Sequence, residues 1–102
     1  MIDPNAHLRI ARPARDLAAS EQFYVEGLGF EVLQRGRGTS TGERKLLMVG
    51  LSGAAWHFEL IHDTARTVEP VLTPDDLFVL YLDAPVDLEL IERIECAGGE
   101  RV

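Results

Sequence analysis

Asp16-Leu-Ala-Ala-Ser-Glu-Gln-Phe-Tyr-Val-Glu-Gly-Leu-Gly-Phe30 is the stretch on which the fold turns. Asp16 suits a helix N-cap, because its carboxylate can accept an orphan backbone N–H of the first turn. Leu17, Ser20, Phe23, Tyr24 and Leu28 then recur at helical spacing. Gly27 and Gly29 end the helix, since glycine tolerates the left-handed backbone found just past a helix terminus. Upstream, His7-Leu-Arg-Ile-Ala11 alternates apolar and polar residues as a short strand, and Pro13 leads into the helix. Downstream, 30–33 resumes as a strand. The glycines at 36, 38 and 42 mark an exposed turn or hairpin loop over 35–42. Residues 45–51 form a third strand, Ser52-Gly53-Ala54 a tight turn, and 55–62 a fourth strand. The first unit, about 5–62, is therefore strand-helix-strand-strand-strand.

Residues 63–75 have linker composition, with Pro70, Pro74 and three threonines among few apolar residues. The near-continuous apolar run Leu77–Leu82 is expected as a strand covered on both faces, with the Tyr81 hydroxyl needing a buried partner. Asp83-Ala-Pro85 starts a second helix, whose buried stripe is Leu88, Ile91, Ile94 and Ala97, closed by Gly98-Gly99. Glu100-Arg-Val102 reads as the first step of another strand. Gly27-Leu-Gly-Phe-Glu-Val32 overlays Ala97-Gly-Gly-Glu-Arg-Val102 at an offset of 70 residues, and that offset also lays Leu77 on His7. The order strand, helix, glycines, strand thus occurs twice. A second module begins at about 76 and runs to 102 incomplete; by the repeat, about 30 further residues would finish it. The alternative is that another chain supplies the absent strands.

At 102 residues the chain has room for a single domain. Its 46% hydrophobic and 26% charged content is ordinary for a globular protein. Ten Lys and Arg against 17 Asp and Glu give −7, which argues against nucleic acid and anionic membrane surfaces, both of which need clustered cations. The charge is uneven: residues 1–62 balance seven acids against seven bases, while 63–102 hold ten acids and three bases, as a solvated acidic helix face would. No apolar run approaches the roughly 18 residues of a membrane span, and the N-terminus does not read as a secretory signal. Cys96 is the single cysteine, so a reducing cytoplasm is expected and an internal disulfide is not.

His7-Leu-Arg-Ile-Ala, Asp16-Leu17, Phe23-Tyr24, Leu28-Gly29-Phe30 and His57-Phe-Glu59-Leu60 together resemble the vicinal-oxygen-chelate superfamily of glyoxalases, bleomycin-resistance proteins and extradiol dioxygenases. The resemblance implies an α+β fold in which paired strand-helix-strand-strand-strand modules, from one chain or two, form an open barrel around a cavity. It also implies a homodimer. In metal-dependent members one ligand sits on the first and last strand of each module, so it implies His7 and Glu59 as ligands of a divalent ion, Ni, Zn, Mn or Fe.

The residues themselves place His57, Glu59 and Ile61 on one face of the fourth strand, and Phe58, Leu60 and His62 on the other. A His and a Glu side by side can bind a metal or exchange a proton, which makes Glu59 and His57 the catalytic candidates; a hydrogen bond between them at a sheet surface is the other reading. Leu77 stands where the repeat would put a second His7, with Asp75 or Asp76 the nearest substitutes. His62 reads as a surface residue, Trp56 and Phe58 as helix-facing core. Arg9 and Arg12 are either solvated or draw an anionic substrate.

Two functions follow. One is a metal-dependent lyase or dioxygenase, in which the ion polarises adjacent substrate oxygens and a carboxylate such as Glu59 shuttles the proton. The other is a metal-free protein that binds and sequesters a small molecule such as an antibiotic; the acidic balance and Leu77 favour this alternative slightly, while His7 and Glu59 favour the first.

Overall fold

The computed structural model describes residues 1–37, 44–66 and 68–102. Strand β1 (Leu8–Pro13) leads into helix α1 (Leu17–Glu21), which widens without a break into a π-helix (Gln22–Gly27). Strands β2 (Glu31–Arg37), β3 (Arg44–Gly50) and β4 (Trp56–Asp63) follow, and helix α2 (Leu88–Cys96) comes last.

The strands form one mixed sheet in the order β1-β4-β3-β2. β1 runs parallel to β4, while β3 is antiparallel to both neighbours. A parallel pair needs a crossover, and the helical segment between β1 and β2 provides the layer that covers one face. This is the strand-helix-strand-strand-strand module expected from the sequence, with the sheet left open.

Asp16 caps α1 as expected, its carboxylate accepting the Ala19 N–H at 3.1 Å. The widening at 22–27 is visible in the backbone: the Leu28 N–H reaches the Phe23 carbonyl, five residues back, at 3.0 Å. Gly29 then takes a φ of +78°, which turns the chain into β2. The core lies between this helical layer and the sheet, where Ala14, Phe30, Leu47, Val49 and Leu60 are buried. Trp56 and Phe58 pack against them, as the alternation along β4 predicts.

Several expectations are corrected. β1 extends to Pro13. Its proline sits at the edge of the sheet, where a missing N–H breaks no ladder. β2 continues through Arg35 and Gly36 to Arg37, because β3 pairs with it that far; Gly38 and Gly42 lie outside the described residues. Leu77–Leu82 is not a strand. An apolar run becomes one only where a neighbour takes up its backbone N–H and C=O groups, and this segment joins no ladder of the sheet. Phe78 sets its ring edge-on to Phe58 at 4.7 Å, while Tyr81 is 94% exposed. Residues 100–102 form no strand either.

The last helix begins later than Asp83-Ala-Pro85 suggests. Asp87 is its N-cap, accepting the Leu90 N–H at 2.8 Å. That start rotates the inner stripe. Leu88 is 71% exposed, while Leu90, Ile91, Ile94 and Ala97 turn toward the protein. α2 docks on the π-helix, where a Cβ on Gly27 would lie 3.1 Å from the Ala97 Cβ.

Candidate functional site

The sheet face away from the helices is set by strand register. Arg9 pairs with His57, Ala11 with Glu59, and Pro13 with Ile61; across the other side of β4, Met48 pairs with Glu59 and Gly50 with His57. Paired residues point the same way, so the alternation that sends Phe58 and Leu60 into the core sends His57 and Glu59 to this open face. Gly50 makes room for the site: a Cβ there would lie 3.2 Å from the His57 Cβ and 3.2 Å from the Leu33 Cδ1.

His7 immediately precedes β1, and its Nε2 lies 2.5 Å from the Nδ1 of His57. The rings are 4.7 Å apart and tilted by 42°. One nitrogen of this contact donates and the other accepts, so the two imidazoles share a proton donor between them. The second nitrogen of His57, Nε2, is buried without a hydrogen-bond partner. Burial, followed by the charges of His7 and Arg9, pushes His57 below its ordinary 6.5 against the opposing pull of Glu59. At neutral pH the site therefore holds a neutral His57 ring.

Glu59 engages a different partner. Its carboxylate Oε2 lies 3.2 Å from the Arg9 Nη1, with the Glu59 side chain 9% exposed and that of Arg9 57% exposed. The structure thus brings His7, His57, Arg9 and Glu59 onto one face. The two residues that the resemblance implies as metal ligands are separately engaged, His7 by His57 and Glu59 by Arg9.

A divalent ion would find one uncommitted donor in this set. The unpartnered His57 Nε2 is the kind of atom a metal would take up. The remaining donors do not fit. Among the described residues no three His, Cys, Asp or Glu side chains converge on a common point, and the Glu59 carboxylate is already neutralised by a guanidinium. As arranged, these residues do not assemble a metal site.

Arg9 is a central residue of the site, whereas the sequence offered it only as a possible attractor for anions. Its position directly opposite His57 and diagonal to Glu59 is a property of β1–β4 pairing, which the local sequence does not display. His62, read as a surface residue, instead places its Nδ1 2.9 Å from the Ala14 carbonyl and tethers β4 to the end of β1. Asp76 takes no part in the site; its carboxylate accepts the Thr73 N–H and hydroxyl in a local turn, which hold it below its ordinary range.

Comparison with known proteins agrees with this architecture. Residues 8–61 match the model of the YycE-like N-terminal domain. The uncharacterized protein YycE of Bacillus subtilis (strain 168) is 34% identical over 98 residues, covering 95% of this chain and 69% of that protein. A 2.0 Å crystal structure of a YycE protein of unknown function from Bacillus subtilis, put forward as a glyoxalase/fosfomycin resistance protein, superposes with a TM-score of 0.78 at 29% identity, over 96% of this chain and 71% of that one. A glyoxalase/bleomycin resistance protein from Streptomyces sp. CB03234 shares the fold, with a TM-score of 0.56 at 24% identity over 91% of this chain and 75% of that one. The module is that of the vicinal-oxygen-chelate fold.

Proposed function

Because this chain belongs to the family of the YycE-like N-terminal domain, within the glyoxalase/bleomycin-resistance group, we propose that it binds a small organic molecule on the open face of its sheet without a metal. The observation that carries this reading is the Arg9–Glu59 ion pair at 3.2 Å. A carboxylate neutralised by a guanidinium serves as a fixed hydrogen-bonding wall, and it would have to give up Arg9 before it could hold a cation. The neutral His57, linked to His7, adds a ring face and an uncommitted nitrogen. Such a set of few polar groups among Leu33, Leu46, Met48 and Ile61 has the character of a small-molecule pocket. The opposite wall comes from a second module; in this reading a homodimer supplies it, and the protein works in the cytoplasm, where Cys96 stays reduced.

The metal-dependent reading, a lyase or dioxygenase with His7 and Glu59 as ligands and Glu59 or His57 moving the proton, has one observation in its favour: the buried, unpartnered Nε2 of His57. Thermal unfolding separates the two. Purified protein is heated with bleomycin, with fosfomycin, and with nickel, zinc, manganese or ferrous salts, before and after EDTA. The proposal expects a midpoint raised by one of the organic ligands and unchanged by EDTA. Stoichiometric metal that survives purification, and is lost in both His7→Ala and Glu59→Ala, would overturn it.

A further inference from the structure

The helix-facing side of the sheet carries a second cavity, on the opposite face from His57 and Glu59. The β1–β4 register sets Ile10 beside Phe58 and Arg12 beside Leu60, so these four side chains share that side. Residues 70–78 pass over it. Phe78 anchors them through its edge-on contact with Phe58, and a turn closes where the Asp76 N–H donates to the Thr73 carbonyl at 3.1 Å. The space enclosed is about 450 Å³, within the roughly 300–1,000 Å³ of small-molecule pockets.

Its lining combines an apolar wall with charges of both signs. Phe58, Leu60, Leu77 and Phe78 form part of the wall, Arg12 contributes a guanidinium, and Asp75 and Asp76 contribute two carboxylates. Tyr24 of the π-helix adds a half-buried phenol whose ring lies 5.9 Å from that of Phe58. Opposite charges in one cavity ordinarily close on each other, and Arg9, Arg15, Arg35 and Arg101 each have a carboxylate within 3.4 Å. Arg12 has none within 4.0 Å among the described residues, although two line the same cavity. Asp76 is turned instead to Thr73, whose N–H and hydroxyl both donate to its Oδ2. The separated charges still act on one another. Asp76 is held below its ordinary range first by the Thr73 hydrogen bonds and also by the Arg12 charge, which likewise opposes the rise that burial imposes on Tyr24.

We propose that this cavity binds a zwitterion with an apolar body, an α-amino acid carrying an aromatic or large aliphatic side chain. Its carboxylate matches the planar fork of the Arg12 guanidinium, and its ammonium offers three donors to the aspartates. Its side chain then lies against Phe58 and Phe78. A simple anion would meet two carboxylates here, and a simple cation would meet Arg12; a ligand with one charge of each sign bridges the gap that the protein's own groups leave open. The cavity lies across the sheet from the candidate site, so the inference goes beyond the metal-free reading above and does not depend on it.

The test is calorimetric titration of the whole chain with L-phenylalanine at neutral pH and constant ionic strength. Phenethylamine, which lacks the carboxylate, N-acetyl-L-phenylalanine, whose nitrogen carries no charge, and glycine, which lacks the apolar body, are titrated beside it. Saturable binding of L-phenylalanine is expected, with each of the three analogues weaker by about tenfold or more. Arg12→Gln is expected to weaken L-phenylalanine by about tenfold and phenethylamine by less than twofold, because only the first presents a carboxylate. Arg101→Gln, which removes the same charge elsewhere, is expected to leave the L-phenylalanine affinity within twofold. Circular dichroism identical to the parent shows that each variant is folded. The proposal is overturned by the absence of saturable L-phenylalanine binding, by an analogue that binds as tightly, by an Arg12→Gln loss equal for L-phenylalanine and phenethylamine, or by an Arg101→Gln loss as large as that of Arg12→Gln.

Discussion

His7 and His57, fifty residues apart in the chain, meet nitrogen to nitrogen, with Nε2 of the first 2.5 Å from Nδ1 of the second. The contact ties the segment entering β1 to the start of β4, and it couples two titratable rings. Protonating both would place two positive charges in contact beside Arg9.

That coupling has a pH signature. His57 is held below its ordinary 6.5, mainly by burial and then by His7 and Arg9. A base with a depressed value in the folded state binds fewer protons there than when unfolded. Its contribution to stability is therefore fully present above pH 6.5 and is lost as the pH falls from 6.5 through the lower folded value. Denaturant unfolding at pH 8 and pH 5 should show the parent losing more stability than His57→Gln. In a proton NMR titration, His7→Gln should move His57 upward but leave it below 6.5, because burial, the largest cause, remains.

The Arg9–Glu59 pair predicts an asymmetric result. Arg9→Ala leaves a carboxylate that is 9% exposed without its cation, and should cost about 1–2 kcal/mol in chemical denaturation. The double variant Arg9→Ala/Glu59→Gln removes the stranded charge as well, and should be more stable than Arg9→Ala alone. Equal stability of the two would mean that the Glu59 carboxylate carries no penalty when Arg9 is removed.

The docking of α2 on the π-helix predicts a strict size limit at position 99. A Cβ on Gly99 would lie 2.4 Å from the Ile94 Cγ2, 3.0 Å from the Ile94 carbonyl oxygen and 3.1 Å from the Phe23 Cε1. Gly99→Ala should therefore destabilise the protein by about 1–3 kcal/mol. Hydrogen exchange should locate the loss in 88–97 and spare the sheet.

The core makes a simpler prediction. Leu47 is buried on the helix-facing side of β3, packed among Phe30, Val49 and Leu60. Leu47→Ala should cost about 2–5 kcal/mol of unfolding free energy in denaturant titration. The same change at exposed Leu88 should alter that free energy by less than about 0.5 kcal/mol.

The sequence by itself determined the first module. Its elements rest on short-range physics: the Asp16 cap, the helical spacing that ends at Gly27 and Gly29, and the alternation along β4 that separates His57 and Glu59 from Phe58 and Leu60. Those signals lie within a few residues of one another, so they can be read along the chain. Partnership was decided only by the tertiary structure. Whether Leu77–Leu82 becomes a strand depends on a neighbour to accept its backbone hydrogen bonds, and the run's apolar character carries no information about that neighbour. The candidate site divides the same way. His57 and Glu59 were legible as side chains of one face, and His7 joined them only through the family resemblance. That His7 would bond to His57, and Glu59 to Arg9, follows from the parallel register of β1 on β4, which brings these residues of distant segments together as diagonal neighbours.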